Sequence, residues 1–106
     1  MNGIAVIAHN KDNVATATGD LPQGTSVTLK SQENNYVISL SQNIDYGHKF
    51  SLVPIKKGSH VVKYGEIIGL ATTDINVGEH VHVHNIASAR GRGDLENMEM
   101  MEENAR

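Results

Sequence analysis

Three histidines alternate with two valines in Gly78-Glu79-His80-Val81-His82-Val83-His84-Asn85. In an extended strand successive side chains point to opposite faces. His80, His82 and His84 would then share one face, with Val81 and Val83 entering a core. Imidazoles so spaced can share a divalent metal, hold an anionic group or pass a proton. A pair at i and i+2 on a strand suits zinc, iron or manganese. A third ligand is not evident nearby, and Asp12, Asp45 and Asp74 are the open candidates. The plain alternative is an exposed polar strand face.

Gly47-His48-Lys49 is the second constellation. A histidine and a lysine directly after a glycine turn sit near a loop tip, where functional groups gather. The lysine could neutralise a carboxylate, and the histidine could act as acid or base. The alternative is an ordinary polar strand start. Asp12-Asn13-Val14 reads first as a side-chain-capped turn and second as a contact with substrate or metal. His9 and His60 stand alone and read as surface or structural residues. Arg90 and Arg92 could clamp a carboxylate or solvate a hinge.

The elements that position these groups are short. Alternation and β-branched content predict strands over 4–8, 14–17, 26–29, 36–40, 49–52, 61–63, 67–71 and 80–84. No stretch before Asn85 has a helical period. An apolar residue, a glycine three positions on and a second apolar residue three further recur at Leu21-Gly24-Val27, Ile44-Gly47-Phe50, Ile55-Gly58-Val61 and Ile75-Gly78-Val81. Each copy reads as a turn that feeds a strand. The irregular spacing favours a common β-protein device over an internal duplication. The fold class is therefore all-β, a small barrel or clip of short strands. After Asn85 the composition changes: Arg90-Gly91-Arg92-Gly93 is a hinge, and Asp94 could cap a short helix with Leu95, Met98 and Met101 on one face. That acidic, methionine-rich tail is either frayed or docked on a partner.

Composition narrows the function. The chain has 106 residues, a net charge of −3 and few aromatics, so it lacks the basic, stacking surface of a nucleic-acid binder. It has no cysteine, which excludes disulfides, thiolate zinc sites and iron–sulfur ligation by this chain. The first residues lack a basic segment followed by a long apolar run, and no run approaches the ~20 residues that cross a bilayer. A cytoplasmic location without membrane contact is expected.

Taken together and in order, these segments resemble the altronate/galactarate dehydratase family. His9 to Ala17, with Asp12-Asn13-Val14-Ala15, resembles its opening, and Ile44-Asp45-Tyr46-Gly47-His48-Lys49 its Gly-His-Lys turn. Val62 to Ala71 resembles its Tyr-Gly-x-x-Ile-Gly strand pair, and Gly78 to Asn85 its His-x-His-Asn strand end. Ser88 to Asp94 resembles its exit segment. The resemblance implies an SAF domain of β-clip fold over residues 1–86, followed by a hinge and tail over 87–106. Because the chain stops near where the large domain would begin, it also implies a split lyase. In that arrangement a small subunit works with a large catalytic subunit, in an oligomer.

The implied reaction is β-elimination from a sugar acid such as altronate or galactarate. A base removes the proton α to a carboxylate, a divalent metal stabilises the resulting charge, and water leaves. Fe(II) is the implied metal, with Mn(II) as the alternative. By motif match, His82 and His84 would contact the metal and Asn85 the substrate. Lys49 would pair with the carboxylate, and His48 would protonate the leaving group. The chain alone is expected to be nearly inactive. The competing readings are the alpha subunit of a sulfolactate sulfo-lyase, which releases sulfite, and a non-catalytic module that binds a sugar acid or a metal.

Overall fold

The four glycine motifs organise the architecture. A computed structural model describes residues 4–32 and 34–88. Each motif closes a four-residue turn through a backbone bond, such as His48 N–H to Asp45 C=O (2.9 Å) or Glu79 N–H to Asn76 C=O (3.1 Å). The glycine sits third in the turn with φ between +83° and +91°, as a type II turn demands. The residue that ends each motif, Val27, Phe50, Val61 or Val81, is fully buried.

The motifs pair off. Leu21 and Ile44 exchange two backbone hydrogen bonds of 2.8 Å, and Ile55 and Ile75 exchange bonds of 2.8 and 2.7 Å. Side chains reinforce the pairs: Asn43 accepts from Gln23 N–H, Asp20 from Tyr46 N–H, and Asp74 from Lys57 N–H. The order turn, hairpin, turn, strand thus occurs twice. The irregular spacing in the sequence hid this repetition, because the two hairpins differ in length.

The described residues form nine strands: β1 (Ala5–Val6), β2 (Val14–Ala17), β3 (Ser26–Lys30), β4 (Asn35–Ser39), β5 (Lys49–Ser51), β6 (His60–Lys63), β7 (Glu66–Ala71), β8 (His80–Val81) and β9 (Ile86–Ser88). The expected all-β class holds, with no helix among the described residues and none long and apolar enough to cross a membrane. The central sheet has the order β1-β2-β5-β8, all antiparallel. Alternation sends Ala15 and Phe50 to one face, where the β3–β4 hairpin adds Val27, Leu29, Ile38 and Leu40. It sends Val14 and Val81 to the other, where Val61 of β6 and Ala71 of β7 cover them. Full burial of a side chain the size of Phe50 contributes about 1.5–3 kcal/mol.

Two expectations change. The strand expected over 80–84 stops at Val81; Val83 is 80% exposed and does not enter the core. The cause is a turn of residues 82–85, closed by Asn85 N–H to His82 C=O at 3.0 Å. Beyond it lies a strand the sequence reading did not anticipate, β9, which pairs with β7 and crosses the boundary drawn after residue 86. The expected tail helix, and Arg90 and Arg92, lie outside the described residues.

Asp12 is buried and serves the backbone. Its carboxylate accepts from His9 N–H (3.0 Å), Tyr64 N–H (3.1 Å) and Gly65 N–H (2.8 Å). Tyr64 and Gly65 form the two-residue turn of the β6–β7 hairpin, both at positive φ. Asn13 holds the same hairpin through Val62 N–H and His60 C=O. Asp12→Ala would leave three donors without this partner, so we expect a loss of about 3–5 kcal/mol in urea unfolding. An unchanged midpoint would show that the carboxylate does not anchor the hairpin.

Candidate functional site

Two of the glycine turns deliver histidines to one edge of the central sheet. The turn at Gly47 releases the chain into β5 just after His48, and the turn at Gly78 releases it into β8 at His80. Antiparallel pairing sets Phe50 opposite His80 and Lys49 opposite Val81. His48 and His80 consequently meet, with His48 Nδ1 2.8 Å from His80 Nε2. That separation is a hydrogen bond with one ring donating and the other accepting.

Continued one pair further, the same register sets His82 opposite His48 and so brings in the third ring. His82 stacks on His48 with ring centroids 4.1 Å apart and planes 16° off parallel. His48 and His80 stack at 5.0 Å, and His80 and His82 at 5.4 Å. His84 lies beside His80, its ring tilted by 33° with the centroids 5.1 Å apart. One nitrogen from each of His48, His80 and His82 falls within 4.8 Å of the others. All three rings are half-buried, while His84 is exposed.

The surroundings favour neutral rings. Burial first, and then the neighbouring imidazoles, hold His80 below the ordinary imidazole value; Asp45 acts in the opposite sense. Burial, His48, Lys49 and His84 lower His82 likewise. Lys49 is half-buried, and burial followed by the charge of Lys63 lowers its ammonium. The consequence for stability has a definite sign. Unfolded histidines take up protons as pH falls through about 6.5, whereas folded His80 and His82 resist until lower pH. Stability is therefore lost as pH drops from about 6.5 through their lowered folded values. The urea midpoint should fall between pH 7.5 and pH 5. His80→Gln or His82→Gln should flatten that fall, and an unaltered slope in both variants would refute the assignment.

The arrangement can hold a cation. Bound nitrogens stand about 2.0–2.1 Å from a zinc-sized ion, so two donors on one ion are at most about 4 Å apart. The 2.8 Å pair satisfies this limit, and a nitrogen of His82 lies within 4.8 Å of both. Three imidazoles suit zinc, iron, copper or nickel.

The predicted site residues are distributed as follows. His82 is in the cluster, and so is His48, expected as an acid. His80, which the sequence reading placed on the same strand face but not among the ligands, completes it; His84 is outside the three. Of the open third candidates, Asp12 and Asp74 are engaged by backbone N–H groups, and Asp45 is near enough to act on His80. Asn85 is buried, and its carboxamide spans His82 N–H (2.9 Å) and His80 C=O (2.8 Å). Gln42 was missed: its Oε1 accepts from His80 N–H at 2.9 Å. The signal that could have joined His48 to His80 was their place inside two copies of one turn motif, one residue past Gly47 and two past Gly78.

Comparison with known proteins bears on the same positions. The family model described as the altronate/galactarate dehydratase SAF domain matches residues 4–89. Altronate dehydratase of Escherichia coli K12 is 48% identical over 77 residues, covering 73% of this chain and 15% of that protein. Altronate dehydratase of Bacillus subtilis strain 168 is 40% identical over the same length and the same shares. The alpha subunit of (2R)-sulfolactate sulfo-lyase from Paracoccus pantotrophus is 38% identical over 62 residues, 58% of this chain and 92% of that subunit. The match thus spans a small part of the altronate dehydratases and nearly all of that alpha subunit. On the match to residues 4–89, this chain belongs to the altronate/galactarate dehydratase SAF domain family.

Proposed function

We propose that this chain is the SAF small subunit of a lyase that removes water from a sugar acid such as altronate or galactarate, working with a large catalytic partner. The observation that carries the reading is the convergence of His48, His80 and His82 beside Lys49, within a domain 48% identical to part of an altronate dehydratase. In this reading the three imidazoles hold a divalent cation, of the Fe(II) type or Mn(II). Such an ion supplies a Lewis acid for charge that develops next to a carboxylate.

The chain's own residues then have distinct tasks. Lys49, half-buried at the start of β5, pairs with the substrate carboxylate; desolvation strengthens that pairing. The neutral state favoured at His80 and His82 keeps their lone pairs open for a ligand. The large partner provides the base that takes the α-proton and closes the site against water. A second reading is favoured by the 2.8 Å bond between His48 and His80. Without a cation, that pair can hold and pass one proton, with His48 delivering it to the leaving group. The two uses of the nitrogen facing His80 exclude each other.

The substrate branch also has two readings. Identity favours the sugar acids, whereas the near-complete coverage of the sulfo-lyase alpha subunit favours sulfolactate. The test is co-expression with a large catalytic subunit of the family and an anaerobic assay with Fe(II) on altronate, galactarate and sulfolactate. A 2-keto-3-deoxy acid formed only with both chains supports the dehydratase. Sulfite supports the sulfo-lyase. A folded complex inactive on all three would overturn the lyase reading.

A further inference from the structure

We infer that Asn85 is the positioning residue of the imidazole cluster: its carboxamide fixes the backbone of His80 against that of His82, so that the two rings converge with His48. The inference rests on reading His48, His80 and His82 as one functional group.

Asn85 is 4% exposed, and both ends of its amide are engaged. Its Oδ1 accepts from His82 N–H at 2.9 Å, and its Nδ2 donates to His80 C=O at 2.8 Å. These two backbone groups flank Val81, which is fully buried. The amide therefore ties both histidines to a residue that cannot move without opening the core. The other side of His80 is held by Gln42, whose Oε1 accepts its N–H. Backbone bonds from Asn85 N–H and Ile86 N–H to His82 C=O, 3.0 and 3.2 Å, complete the turn.

The geometric consequence is specific. With both backbones so tied, the His80 and His82 rings lie 5.4 Å apart and the His82 ring lies 4.1 Å from that of His48. An amide is the side chain that suits this place. It donates at one end and accepts at the other, whereas a carboxylate would set an oxygen against the His80 carbonyl.

Two readouts test the inference on the whole chain. The first is Co(II) titration followed by its visible absorption. The second is long-range 15N NMR of the metal-free protein, which detects the His48–His80 N–H···N bond through its nitrogen–nitrogen coupling. Asn85→Ala is expected to unfold cooperatively yet bind Co(II) at least ~10-fold more weakly, with an altered spectrum and no coupling. Asn85→Asp keeps the acceptor for His82 N–H and loses the donor to His80. It should also lose the coupling, and it decides the matter if the alanine variant does not fold. A folded variant with wild-type Co(II) affinity, spectrum and coupling overturns the inference. A wild-type protein that shows the coupling but binds no Co(II) overturns the metal reading alone, and the NMR comparison then decides the role of Asn85.

Discussion

Replacing His48, His80 or His82 singly by alanine is expected to weaken Zn(II) binding on the order of 100-fold or more. Loss of a group that merely supports a ligand costs 10–100-fold, and loss of a ligand from a three-nitrogen site costs at least the top of that range. His84→Ala is expected to change affinity by less than about tenfold, because His84 lies outside the three convergent nitrogens, with its ring 5.1 Å from that of His80. Zn(II) is the suitable probe, being redox-inert and well matched to imidazole. Isothermal titration of the four variants beside the unaltered chain checks the pattern. If His84→Ala lost as much as the others, the site would instead follow the His82 and His84 pairing expected from the motif. If no variant differed from the parent, the cluster would be a stacked hydrogen-bonding group without a metal, and the proton-passing reading would gain.

Gly78→Ala should cost about 3–5 kcal/mol, and Gly24→Ala only about 1–2 kcal/mol. Both glycines sit at strongly positive φ, +83° and +91°, so both alanines bear the same left-handed penalty. They differ in space. A Cβ on Gly24 meets nothing, whereas one on Gly78 runs into the backbone carbonyl of Ser39. A backbone carbonyl cannot step aside as a flexible side chain can, and the Gly78 C=O also accepts from Ser41 N–H while its N–H donates to Ser51 C=O. Any shift there propagates two residues on to His80, so Gly78→Ala should also weaken Zn(II) binding. Urea unfolding of the two variants provides the check. Equal losses would mean that the close approach to Ser39 is absorbed without cost, and that only the φ matters.

Local chemistry alone determined a good deal. The alternation of apolar and polar residues placed eight of the strands within a residue or two, save for the second half of the histidine run. The glycine motifs predicted the turns because no other residue takes φ near +85° cheaply. The ordered motifs around Asp12, His48, Tyr64 and His82 pointed to the family to which the match over residues 4–89 assigns the chain. His48 and His82, singled out from their neighbourhoods, both lie in the cluster.

Tertiary structure decided the rest. Whether residues 82–85 continue a strand depends on Asn85, whose amide reaches back to His80 and His82; alternation cannot register such a bond, and Val83 turns to solvent as a result. Whether Asp12 serves the backbone or a ligand depends on a hairpin turn more than fifty residues away. Above all, His48 and His80 lie far apart in the chain and meet only because β5 and β8 pair antiparallel in the central sheet. Residue types and local spacing report which groups are available, but the meeting of two distant groups follows from the register of strands that bury Phe50 and Val81 on opposite faces of one sheet.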